Sequence, residues 1–105
     1  MSSNRDGPLS YNAALVLQAL ANGHGYGFEV MRVTDLPSGT VYPLLRRLEE
    51  GRLVRSKWED AERARREGRP PRRYYEATGA GEVALAEARE RIAAQRALFE
   101  GRVAG

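Results

Sequence analysis

The 105-residue chain has no cysteine, a single histidine and no long apolar run. Without thiols there is no disulfide, no thiolate zinc site and no thiol redox sensor. No stretch approaches the roughly 20 apolar residues of a membrane-spanning helix, and the opening MSSNRDGP has no apolar signal core. A cytoplasmic protein without a membrane partner is expected. His24 stands among Gly23, Gly25 and Gly27, the setting of a turn or cap residue rather than of a ligand or base. Nucleophile elbows, phosphate-binding loops and carboxylate pairs in apolar surroundings are missing as well. No enzymatic activity, metal or cofactor is expected.

What is present is charge, unevenly spread. From Arg46 to Arg73 there are eleven lysines and arginines against six acids, so this stretch carries +5 where the whole chain carries +3. A basic middle on a slightly acidic remainder is the electrostatic footprint of a polyanion binder; the competing reading is a solvated, salt-bridged surface. Hydrophobic residues at 42% and charged residues at 30% fit a folded chain rather than a disordered one. The length allows one domain with a modest core, so self-association is a plausible source of further stability.

The apolar spacing predicts an α+β, mostly helical fold. Residues 1–9 are polar and expected to be flexible. Ser10 caps a helix running to about Asn22, with Gly23 beyond its end. Almost every side of this helix is apolar, so it must be covered all round, most simply by a second copy of the chain. A Gly-rich turn leads to a short helix through about Val33, with Phe28, Met31 and Val30 pointing inward. The connector Thr34–Pro37 is short, as a helix-turn-helix requires. Ser38 or Thr40 caps the next helix, which Pro43 places late, starting near Gly39 or Thr40. Val41, Leu44, Leu45 and Leu48 form its core stripe, and Tyr42, Arg46 and Glu49 its opposite face. Small residues at its leading end allow a phosphate close to the backbone.

Two strands follow, Leu53–Trp58 and Arg72–Ala77. The long loop between them is expected to have a mobile tip, with room for a helical turn over Ala61–Glu67. Thr78 caps a last helix to about Phe99, whose narrow apolar face (Leu85, Ala88, Ile92, Phe99) suits a coiled-coil-like contact. The order defines a winged helix-turn-helix over residues 10–78, with its wing at about 53–77, and a dimerisation helix and tail over 79–105. Leu15, Leu85, Ile92 and Phe99 are the candidate dimer-interface residues.

HGYGFEV, then SGTVYPLLRRLEEGRLV, Trp58 and GRPPRRYYEATGAGE, in this order and spacing, resemble the PadR family of bacterial transcriptional regulators from about Ser10 to Arg91. The chain looks like the small members with one helix after the wing. The resemblance implies a homodimer in which the last helix meets the first helix of the other subunit. It also places the start of the third helix and its tyrosine against DNA. Ser38, Thr40 and Tyr42 are thus candidate contacts to phosphate or base edges. Arg46 is expected to fork to guanine or clamp a phosphate, and Arg47 to meet phosphate. Arg69, Arg72 and Arg73 of the wing are expected at an adjacent groove. Trp58 is expected to pack under the wing, and Tyr74 and Tyr75 to form its wall.

The chain departs from the family pattern in a longer wing loop, with AERARRE inserted, and in a doubled Pro70-Pro71. The implied function is a sequence-specific DNA-binding repressor acting as a homodimer on an inverted-repeat operator with half-sites about one helical turn apart. A small-molecule effector of unknown identity is a possible further partner. The last helix has Phe99 as its only aromatic, which gives no support for an aromatic-stacking effector pocket there. The alternative is a winged-helix protein-interaction module that docks its wing on an acidic partner. Unspecific nucleic-acid binding with a flat salt dependence would mark that alternative.

Overall fold

A computed structural model describes residues 7–101; the expectations for residues 1–6 and 102–105 lie outside this range. The elements are α1 (Tyr11–Ala21), α2 (Gly27–Thr34), α3 (Ser38–Glu50), β1 (Val54–Trp58), α4 (Ala61–Arg66), β2 (Arg73–Ala77) and α5 (Gly79–Phe99). The strands pair antiparallel from Val54 opposite Ala77 to Trp58 opposite Arg73. Three helices followed by a two-stranded wing make a winged helix-turn-helix. Val16, Leu17, Val30, Val41, Leu45 and Val54, all at most 2% exposed, form the centre of its core. Burying a side chain of this size contributes about 1.5–3 kcal/mol. Among the described residues no helix is long and apolar enough to cross a membrane.

The caps follow the sequence. Ser10 accepts from the Ala13 amide at 3.1 Å and Thr78 from the Gly81 amide at 3.1 Å, satisfying donors the first turns leave orphaned. Gly23 takes a positive φ of 96° beyond α1. In the tight α2–α3 turn Asp35 is left-handed at φ 60°, and the Thr34 hydroxyl donates to the Val30 carbonyl at 2.6 Å.

Several expectations are corrected. α3 begins at Ser38, with Pro37 and not Ser38 or Thr40 at the cap, so Pro43 lies inside the helix. Proline there removes only the bond to the Gly39 carbonyl, and Gly39 is exposed, so water can satisfy that oxygen. Phe28 and Trp58 point outward, 65% and 64% exposed, while Val30 is fully buried. Much of α1 is covered within the single chain, where Ala13, Ala14, Val16, Leu17, Ala19 and Leu20 are buried, while Tyr11 is 60% exposed and Leu15 half-buried. α5 supplies part of that cover through Leu85 and Ala88, both buried. Its close approach to the wing needs Gly81, where a Cβ would run into the Leu53 carbonyl.

The wing loop is ordered by its own side chains rather than left as a loose tip. Asp60 caps α4 by accepting from the Glu62 amide at 3.1 Å, and Ala64 is fully buried beneath it. Glu59, with a side chain only 7% exposed, accepts from both terminal nitrogens of Arg69 at 2.6 and 2.7 Å. The same carboxylate accepts from the Arg72 amide at 3.2 Å. One carboxylate thus ties together the end of β1, the far side of α4 and the approach to β2.

Candidate nucleic-acid interface

α3 turns Val41, Leu45 and Leu48 into the core, and helical periodicity then fixes what faces out. Ser38, Tyr42, Arg46 and Arg47 are exposed and Thr40 is half-buried. Arg46 and Arg47 form no ion pair with any described residue. Two unpartnered guanidiniums beside a 45% exposed tyrosine offer strong donors in fixed forks, suited to phosphate oxygens and guanine edges.

Tyr42 is positioned by a residue that the sequence presented only as part of a turn. A Cβ at Gly27 would lie 2.5 Å from Tyr42 Cε1 and 2.6 Å from its hydroxyl. The absence of a side chain at Gly27 therefore lets the ring of Tyr42 lie against the start of α2. The signal in the sequence was the third glycine of GHGYG, one more than a turn requires.

The wing arginines are placed differently from the expectation. Arg69 is held by Glu59 and, at 2.9 Å, by Glu67, with its side chain 20% exposed. Its guanidinium braces the wing and is not a free cation. These bonds, with the Arg72 amide, hold the Glu59 carboxyl down at about 2. Arg73 is half-committed: it donates to Ser56 at 3.0 Å and pairs with Glu49 at 3.3 Å. Arg72 lies 4.2 Å over the ring of Tyr26, a cation–π contact. Its single side-chain hydrogen bond goes to the Tyr74 hydroxyl at 3.4 Å. Tyr26 and Tyr74 meet edge to face at 5.6 Å, and the Tyr75 amide donates to the Gly25 carbonyl at 2.6 Å. Tyr74 and Tyr75, both half-buried, thus tie the wing to the turn before α2.

Of the candidate dimer residues, Leu85 is enclosed in its own chain at 4% exposure and has no surface to offer a partner. Leu15 and Ile92 are half-buried and Phe99 is open. The second half of α5, from Arg89 on, has no fully buried residue.

A winged helix with a cationic, unpaired outer face on its third helix defines a DNA-binding regulator. The transcriptional regulator PadR-like family matches residues 16–87, and the chain belongs to this family. Similar solved structures include a PadR family transcription regulator from Clostridium difficile R20291, at 22% identity and TM-score 0.76 over 88% of this chain and 97% of that one. Another from Eggerthella lenta is 31% identical, with a TM-score of 0.58 over 86% of this chain and 79% of that one. The PcaV regulator of Streptomyces coelicolor, solved in complex with its natural ligand, is 20% identical, with a TM-score of 0.76 over 94% of this chain and 66% of that one. No curated protein matches the sequence.

Proposed function

We propose that the protein is a repressor that binds an inverted-repeat operator as a homodimer, one α3 per half-site, and is relieved by a small-molecule effector. The observation that carries this reading is the outer face of α3, with Ser38, Thr40 and Tyr42 around Arg46 and Arg47, two cations without an ion pair among the described residues. Arg72 and Arg73 flank that face from the wing. Half-sites about one helical turn apart follow from two-fold symmetry. The reading places the protein in the cytoplasm with its DNA.

Dimerisation is supported by the far half of α5. A projecting helical segment of this length is marginal in water unless packed, and this one exposes Leu98 at 77% and Phe99 at 92%. Arg91 donates to the Leu9 carbonyl at 2.5 Å, which brings the start of α1, with Tyr11 60% exposed, beside it. Ile92, Phe99 and Leu15 are the proposed contacts. Effector control finds support by analogy in PcaV, a protein of similar fold solved with a ligand.

The test is selection of bound sequences from a random DNA pool at near-physiological salt. The reading expects an enriched inverted repeat. Binding without enrichment would contradict it, and a flat salt dependence of that binding would favour a protein-docking winged helix.

A further inference from the structure

Glu49 stands seven residues beyond Tyr42 and three beyond Arg46, on the same side of α3. On a helix that faces a polyanion, a carboxylate lowers affinity by its charge unless it serves another group. Glu49 accepts from the Ser56 hydroxyl at 2.5 Å and from Arg73 Nη2 at 3.3 and 3.4 Å. Arg73 Nε donates to the same Ser56 oxygen at 3.0 Å. Side chains of α3, β1 and β2 thus close one ring of hydrogen bonds. The guanidinium carbon of Arg73 also lies 5.7 Å from the ring centroids of Trp58 and of Tyr75, within cation–π reach.

The two held arginines of the wing differ in what they leave open. Arg69 spends Nε, Nη1 and Nη2 on Glu59 and Glu67, so both edges of its guanidinium are closed. Arg73 spends only its side edge, Nε and Nη2, on Ser56 and Glu49. Its Nη1 has no acceptor among the described residues, and the side chain is 42% exposed. An end-on fork therefore remains open and is held in one orientation. A fork oriented beforehand loses less freedom when it meets two acceptors.

We propose that Glu49 is a positioning residue for DNA recognition: with Ser56 it holds one edge of Arg73 so that the other edge meets a pair of acceptors on the duplex. The proposal rests on the DNA-reading role proposed for α3. The acceptor pair is two phosphate oxygens or O6 and N7 of one guanine, both of which fit a guanidinium fork. Both Glu49 oxygens already accept bonds within the protein, so the acid acts through Arg73.

The test is a double-mutant cycle of Glu49→Ala and Arg73→Ala on the duplex that pool selection enriches. Removing an acid beside a polyanion tightens binding by charge alone. Here Glu49→Ala should weaken it by about tenfold, and Arg73→Ala by at least as much. The double variant should bind no more weakly than Arg73→Ala, because Glu49 then has nothing to position. Arg73→Lys keeps the charge and can still pair with Glu49 but has no fork, so it should lose about as much as Glu49→Ala. If the fork meets phosphate, Arg73→Ala lowers the salt slope by about 0.9 and weakens all duplexes alike. If it meets guanine, the preference at one base pair relaxes instead. Should circular dichroism show Glu49→Ala unfolded, Ser56→Ala takes its place and should show the same coupling to Arg73→Ala. Tighter binding by Glu49→Ala, losses that add in the double variant, or full affinity in Arg73→Lys would each overturn the proposal. If pool selection enriches nothing, the cycle is run on a random duplex. Coupling there keeps the positioning role while sequence-specific reading falls, and its absence overturns both.

Discussion

The arginines of α3 and those of the wing are the same group put to different uses. Arg46 and Arg47 are exposed and form no ion pair among the described residues, whereas Arg69 is held by two carboxylates and Arg73 by one. A guanidinium free in solution meets a phosphate by releasing counterions. One locked in a wing must first give up an acid that it positions. Sequence charge is therefore a poor map of a binding face: pairing decides which cations are available. The +5 stretch from Arg46 to Arg73 divides into a reading surface and an internal brace.

The largest effect expected is from separating the two reading faces. Ile92→Asp should turn dimer into monomer by light scattering and weaken operator binding by roughly a hundredfold or more, since the second half-site is no longer tethered. A dimer that persists would remove α5 from the interface. Next comes the free face itself. Tyr42→Ala or Arg46→Ala should each cost about 1–3 kcal/mol of operator binding with the fold retained by circular dichroism. Gly27→Ala should then imitate part of Tyr42→Ala, by about tenfold in affinity, because the added methyl displaces the tyrosine ring. An affinity equal to wild type would detach Tyr42 from the contact.

The smallest effect lies in the brace. The Glu59 carboxyl is pulled from its ordinary 4.5 to about 2, chiefly by hydrogen bonding to Arg69 and also by the Arg72 amide. A depressed carboxyl stabilises the fold above its unfolded value, and that contribution is lost as pH falls through the folded value. Glu59→Gln should thus melt below wild type at neutral pH, and the gap should close between about pH 4.5 and 2. A gap that stays constant across that window would mean the ionised carboxylate is not what holds the wing.

Much of this fold was legible because periodicity and caps are local signals. Ser10, Thr78 and the Val41, Leu45, Leu48 stripe set α1, α5 and α3 to within a residue or two. Pro43 misled because its cost falls on one solvent-facing carbonyl. Phe28 and Trp58 misled because hydropathy says only that a side chain is apolar, not whether the fold provides a wall for it. The Glu59–Arg69 bond joins residues ten positions apart, and no local rule pairs them out of so many acids and arginines. The enclosure of Leu85 has the same origin: it depends on where α1 sits against α5.

The salt dependence of operator affinity tests the division of the arginines most directly. It would be measured as the slope of log affinity against log salt in wild type, in an Arg46→Ala/Arg47→Ala double variant and in Arg69→Met. Each lost phosphate contact lowers the slope by about 0.9. The account predicts a clearly shallower slope for the α3 double variant and the wild-type slope for Arg69→Met. A slope that flattens in Arg69→Met and stays unchanged in the double variant would show that the wing carries the DNA and that α3 does not.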